Sequence, residues 1–214
     1  MRFPIAPVSL QASRAKKDIV TNAIRAVTKT VPFVLTGDVQ INIEWRVHEQ
    51  VRYEADKSPD IDNIIKPIFD ALCGSEGLLI DDCQVQAVDC RWIDWTRYDE
   101  EILIYIRFFE EYEWRRKKWL VFVHFWKGLC LPIYKNKTPD FKGSDLDWSK
   151  LLLKMLDLLE QMLRRRDEFL KNVADDYYVA KGMMPSQRIF HRSRVSEFTV
   201  LELDELRQQL EATI

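Results

Sequence analysis

The stretch "GDVQINIEWRVHEQ", Gly37 to Gln50, alternates Val39, Ile41, Ile43 and Trp45 with polar residues. A period of two sends those four side chains to one face of an extended chain, so the segment reads as a half-buried strand. The segments around it fit one sheet-and-helix domain. "MRFPIAP" reads as a short first strand. "SRAKKDIVTNAIRAVTKT" places Ile19, Ala23, Ile24 and Val27 at helical spacing, with Ser13 as N-cap. "DNIIKPIFDAL" places Ile64, Ile65, Ile68, Phe69 and Leu72 on a second helical face, and Pro67 inside it predicts a short or kinked helix. "GLLID" reads as a short strand or turn, while "QVQAVDCRWID" and "EEILIYIRFF" read as strands. The order β-α-β-α-β-β predicts an α+β domain over residues 1–109.

Composition narrows what such a chain does. Hydrophobic residues make up 47% and charged residues 31%, the balance of a globular protein. The net charge of -2 leaves no global basic field, so any nucleic-acid surface must be a local patch. Cys73, Cys83, Cys90 and Cys130 form no CxxC pair and read as reduced thiols of an intracellular, cytoplasmic protein. The start "MRFPIAPVSLQ" has no apolar region of signal length. The apolar run "WLVFVHFW", Trp119 to Trp126, is far shorter than the roughly 20 residues of a membrane span and reads as a buried strand or helix segment. No membrane association is expected.

Residues 110–214 differ in character and read as a mainly helical C-terminal extension. A long amphipathic helix from about Trp148 to Val173 carries Leu151, Leu152, Met155, Leu158, Leu159, Met162 and Leu163 on a broad apolar stripe, with Ser144 and Asp147 as a capping box. "TVLELDELRQQLEATI" reads as a final helix, with Thr199 and Glu202 as a second box. Its Val200, Leu201, Leu203, Leu206 and Leu210 offer one partner for the stripe, and Trp119 to Trp126 offers another. Arg164, Arg165 and Arg166 read as a solvated face that complements the helix dipole, or as a phosphate contact.

The chemistry concentrates in "SPDIDNIIKPIFDALCGSEGLLIDDCQV", Ser58 to Val85, where five aspartates surround one lysine. Crowded carboxylates repel unless a positive group sits between them. One reading is local: Asp60 is an N-cap, Asp62 complements the helix dipole, and Asp81 and Asp82 are turn acids. The other is a hard divalent cation held by carboxylates from a helix start and a strand end, with Lys66 on the same helix face as Asp62 and Asn63 as a further oxygen ligand or hydrogen-bond partner.

The pattern Asp60-x-Asp62-Asn63-x-x-Lys66, then Asp70-Ala71-Leu72, then Leu78-Leu79-Ile80-Asp81-Asp82-x-Gln84-Val85, resembles the RusA-like Holliday junction resolvases. "PVSLQASRAKK" is similar to the opening of many members of that family. The likeness runs to near Phe109. It implies a RusA-like α+β domain that works as a homodimer and hydrolyses phosphodiesters of branched DNA with Mg²⁺, Mn²⁺ being a substitute. Carried over by position, Asp60, Asp62 and Asp82 are the metal-binding and catalytic carboxylates and Lys66 the essential lysine. Asn63, Asp70 and Asp81 fall around them. In a strand, Asp81 would point away from Asp82. A non-cleaving DNA-binding or assembly module, using the extension as partner surface, is the alternative reading.

Residues 1–109 hold 13 Lys and Arg against 17 Asp and Glu, a balance of -4. DNA affinity comes from neutralising phosphates, so it falls to Arg14, Lys16 and Lys17 at the first helix, to Arg52 and Lys57, or to the extension. His48, His124 and His191 are scattered, which argues against zinc. No glycine-rich phosphate loop or nucleophile elbow is present.

Overall fold

A computed structural model describes residues 1–54, 60–108, 114–172 and 176–214. The chain forms two compact units, Met1–Lys117 and Lys118–Ile214. The first unit contains β1 (Arg2–Phe3), α1 (Arg14–Thr28), β2 (Phe33–Leu35), β3 (Val39–His48), α2 (Glu49–Glu54), α3 (Ile61–Leu72), β4 (Val85–Trp95), β5 (Glu101–Phe108) and β6 (Trp114–Arg116). Its main sheet has the order β1-β5-β3-β4; β2 and β6 form a separate antiparallel pair. β3 runs antiparallel to β5 and parallel to β4, so the segment between β3 and β4 must cross back over the sheet.

The alternation in β3 dictates the layering. Val39, Ile41, Ile43, Trp45 and Val47 are buried, and the residues between them only half so. Val20 and Ile24 of α1, with Ile68, Phe69, Ala71 and Leu72 of α3, join Ile41, Ile43, Ile102 and Ile104 in one core. Both helices therefore cover the same face of the sheet. Each fully buried Ile or Leu contributes about 1.5–3 kcal/mol. Trp45 stacks on Trp92 at 4.4 Å and extends this face toward the end of β3.

α3 runs through Pro67 for its full 12 residues. A proline has no N–H for the carbonyl four residues back, here that of Asn63. That carbonyl instead accepts a hydrogen bond from the Leu10 amide at 2.8 Å. The Asn63 side chain adds to the tether, its Oδ1 accepting from Gln11 Nε2 at 3.2 Å. The loop that enters α1 is thus pinned to the first turn of α3. At the other end of α3, Gly74 takes a φ of 92°. A Cβ on Gly77 would lie 2.1 Å from the Leu72 carbonyl oxygen. The turn that leads to Asp81 needs both glycines.

The second unit contains β7 (Leu120–His124), β8 (Leu129–Tyr134), α4 (Asp145–Asn172), α5 (Tyr177–Lys181), β9 (Phe190–His191), β10 (Val200–Glu202) and α6 (Leu203–Glu211). Its helices are accompanied by a four-stranded sheet, β10-β7-β8-β9. Trp119 to Trp126 supplies strand β7, whereas Val200–Glu202 pairs with it as a parallel strand instead of opening the last helix. The Ser144–Asp147 box caps α4 as its spacing predicts, with Ser144 N–H donating to Asp147 at 2.9 Å and Asp147 N–H to Ser144 Oγ at 3.1 Å. The long stripe is only partly used. Leu152, Leu156, Leu159 and Leu163 are buried against α6 and the sheet, whereas Leu151 and Leu158 are exposed. Among the described residues no helix is long and apolar enough to cross a membrane.

Two predictions follow from this packing. Leu156→Ala should destabilise the second unit by about 2–5 kcal/mol in a denaturant titration, and Leu158→Ala by less than about 0.5 kcal/mol. Equal losses would contradict the buried face assigned to α4. Pro67→Ala returns a helical partner to the Asn63 carbonyl. It should leave α3 intact and speed hydrogen exchange at the Leu10 amide; unchanged protection there would show that the tether does not depend on the proline.

Candidate active site

The acids of the motif come from two places: the start of α3 and a 3-10 turn, Asp82–Gln84, that leads into β4. Asp60 is the N-cap of α3, as its position predicts, but without a side-chain cap bond. Asp62 follows in the first turn, exposed. Lys66 lies one turn further and Asp70 another, on the same stripe of the helix.

Lys66 Nζ donates to Asp70 at 2.7 Å and to Asp82 at 2.8 Å. The ammonium joins the helix to the turn across 16 residues of chain. Its side chain is about half exposed, at 48%. The bonds to Asp70 and then to Asp82 hold the lysine protonated, well above the usual lysine range. The i,i+4 partner that it takes is Asp70 rather than Asp62, because Asp82 draws the ammonium toward that end of the helix.

Asp81 is not in a strand. It caps the 3-10 turn, accepting from Cys83 N–H at 3.0 Å. Gln84 completes a capping box with it, accepting at Oε1 from Ile80 N–H at 2.7 Å and Asp81 N–H at 3.2 Å. Gln84 Nε2 donates to the carbonyls of Leu35 at 3.0 Å and Gly37 at 2.7 Å. The spacing Asp81-x-x-Gln84 is itself a capping-box signature, and it was the available signal for a residue that the acids around it overshadow.

Cys73 closes α3 beside these groups. Burial, followed by the negative charges of Asp82, Asp81 and Asp70, pushes its thiol far above the usual range. It stays a protonated thiol and offers no competing nucleophile.

The basic candidates divide. Arg14 and Lys16 are exposed at the start of α1, and Lys17 donates to the Leu10 carbonyl at 3.3 Å. Because the Leu10 amide is bonded to the Asn63 carbonyl, Lys17 is linked through Leu10 to the first turn of α3. Arg52 is committed elsewhere: it pairs with Asp94 at 2.8 Å and stacks 5.2 Å above Trp92. Lys57 lies outside the described residues. In the second unit, Arg166 is buried and paired with Asp167, and Arg164 pairs with Glu160, so this run is not simply a solvated face. A cavity of about 430 Å³ lies beside it, but its Asp167, Glu160 and Glu202 already hold cationic partners.

The oxygen-only donors at the start of α3 and on the 3-10 turn suit a hard divalent cation. Among the described residues, no three His, Cys, Asp or Glu side chains are grouped as a metal site. Mg²⁺ does not require such a cage, since it binds through one or two carboxylates and completes its shell with waters and substrate phosphates. In donor chemistry the residues present fit such a cation, and the acids that the structure joins are Asp70 and Asp82, through Lys66.

No curated protein gives a significant match to the chain. Residues 8–107 match the family model of the endodeoxyribonuclease RusA, a span that takes in α1, the acidic stretch, β3, β4 and all but the last residue of β5. Through residues 8–107, the N-terminal unit is similar to the RusA endodeoxyribonuclease family, hydrolases of the phosphodiester bonds of DNA.

Proposed function

We propose that the protein is a structure-specific endonuclease that resolves four-way and related branched DNA in the cytoplasm, with Mg²⁺ as its cation and Mn²⁺ as a working substitute. The observation that carries this reading is Lys66 held between Asp70 and Asp82 within a unit similar to the RusA family. Asp60, Asp62 and Asp82 are the carboxylates that would hold the cation. Bound there, it would polarise a phosphoryl oxygen and supply hydroxide at neutral pH.

The chain's own groups have distinct tasks. An ammonium has three N–H donors. Lys66 spends two on Asp70 and Asp82, and its exposure leaves the third for a phosphate oxygen. Because the two carboxylates keep it protonated, it meets the negative charge that grows on the phosphate as the bond breaks. Asp60 and Asp62 stand on the first turn of α3, where Arg14, Lys16 and Lys17 would contact neighbouring phosphates of the backbone. Hydrolysis leaves 5′-phosphate and 3′-hydroxyl ends. A two-fold homodimer would place one site on each of two junction strands. Residues 110–214 would modulate substrate access or recruit a protein partner.

The test is a cleavage panel with the full chain on labelled four-way junction, fork, flap and duplex, with Mg²⁺ or EDTA. Junction cleavage that EDTA abolishes is expected. Asp62→Asn and Asp82→Asn should each abolish it while changing stability by no more than about 1 kcal/mol, since both acids are solvent-accessible. Full activity of both variants at saturating Mg²⁺ removes these acids from the site. Lys66→Ala should raise the barrier by about 2–4 kcal/mol with little change in junction affinity. A collapse of affinity with an unchanged rate for the bound complex would make Lys66 a DNA anchor instead.

A further inference from the structure

Gln84 is wholly buried, at 0% exposure, and is the last residue of the turn that presents Asp82 to Lys66. A carboxamide has two acceptor sites on oxygen and two donor hydrogens on nitrogen. All four are used here. Oxygen accepts from the Ile80 and Asp81 amides, and nitrogen donates to the Leu35 and Gly37 carbonyls. The first pair fixes the backbone that enters the turn. The second pair fixes that turn to the end of β2 and to the connection before β3, the central strand of the covered sheet. Two of the four bonds are thus internal to the turn and two couple it to the sheet framework, beside the bond from the Leu35 amide to the Leu78 carbonyl.

The chemistry of the four partners specifies glutamine. Glutamate has the same reach, but its carboxylate cannot donate and would face two carbonyl oxygens. Methionine keeps the volume and leaves two amides and two carbonyls without their partner. Asparagine is too short to reach both sides.

We infer that Gln84 is a positioning residue of the nuclease: by locking the Asp81–Gln84 turn to the β2–β3 connection, it sets where the Asp82 carboxylate stands relative to Lys66. The inference rests on Asp82 belonging to the site proposed above. Gln84 touches neither DNA nor cation; it acts through Asp82.

The test compares Gln84→Met and Gln84→Glu with Asp82→Asn and with Ile104→Ala, a cavity-forming change in the sheet core, all in the full chain. Three quantities are read: melting temperature, junction affinity in Ca²⁺, and single-turnover cleavage rate of the bound complex in Mg²⁺. Mn²⁺ affinity, followed by electron paramagnetic resonance without DNA, is a fourth readout independent of activity. At a temperature where all variants are folded, both Gln84 variants should lose about 10- to 100-fold in cleavage rate or in Mn²⁺ affinity, with junction affinity held within about threefold. Ile104→Ala, matched to them or lower in melting temperature, should retain both. If Asp82→Asn is inactive and the Gln84 variants behave as Ile104→Ala does, Gln84 is only structural and the inference is overturned. If one Gln84 variant fails to fold, the other decides by the same criterion. An active Asp82→Asn would instead overturn the site on which the inference rests, a separate outcome.

Discussion

The first unit is organised by the one-sidedness of β3. Five inward side chains at every second position must be covered, and the half-buried residues between them leave the other face to solvent. Both long helices of the unit then have to lie on the same side of the sheet. Because β4 is parallel to β3, the chain between them must travel the length of the sheet and return. α3 is that return path, and the chain must turn sharply after it to enter β4. The acids therefore sit at the start of the crossover helix and on the turn before the next strand. Lys66, midway along the helix, is the residue long enough to join the helix to that turn.

Pro67 and Gln84 solve the same problem at opposite ends of the site. A helix and a turn fix their own internal geometry but not their relation to neighbouring loops. At the helix start, the missing amide of Pro67 frees a carbonyl, and the Leu10 amide takes it. At the turn, Gln84 meets the backbone on both sides with a saturated carboxamide. In the first case a backbone carbonyl, and in the second a side-chain carboxamide, is spent on a contact distant in sequence. Both contacts place surface loops without adding apolar area, which suits a site that must remain open to a large, charged substrate.

Much of this was legible in the sequence because it is periodic. The alternation of Val39 to Trp45 gave β3, the spacing of Ile64 to Leu72 gave α3, and Ser144 with Asp147 marked the start of α4. The rest depends on tertiary partners. β8 carries Pro132 and lies between two strands, where the missing N–H argues against a strand at all. Val200 and Leu201 sit at spacing that continues the α6 stripe, but β7 offers them a parallel ladder and the helix begins only at Leu203. In α4, Leu158 belongs to the apolar stripe by sequence, yet α6 and the sheet cover only the face of Leu152, Leu156, Leu159 and Leu163. Lys66 has an acid four residues away on either side, and spacing alone cannot choose between them. Asp82, distant in sequence, makes the choice.

The charge balance raises a last physical question: how a unit with more acids than bases meets a polyanion. A balance of -4 over residues 1–109 gives no long-range attraction to DNA. Attraction must then be local, and at physiological salt local is sufficient, because exposed charges further apart than about 8 Å are largely screened. The Leu10–Asn63 tether joins the segment that enters α1, with Lys17 bonded to the Leu10 carbonyl, to the first turn of α3, which carries Asp62 and follows Asp60. On the proposed reading, a phosphate drawn in by that basic segment arrives beside the carboxylates and reduces their mutual repulsion only when a divalent cation comes with it. Acids outnumbering bases would then select against DNA without its cation. Affinity would be lower, but binding would be restricted to the state in which the phosphodiester can be cut.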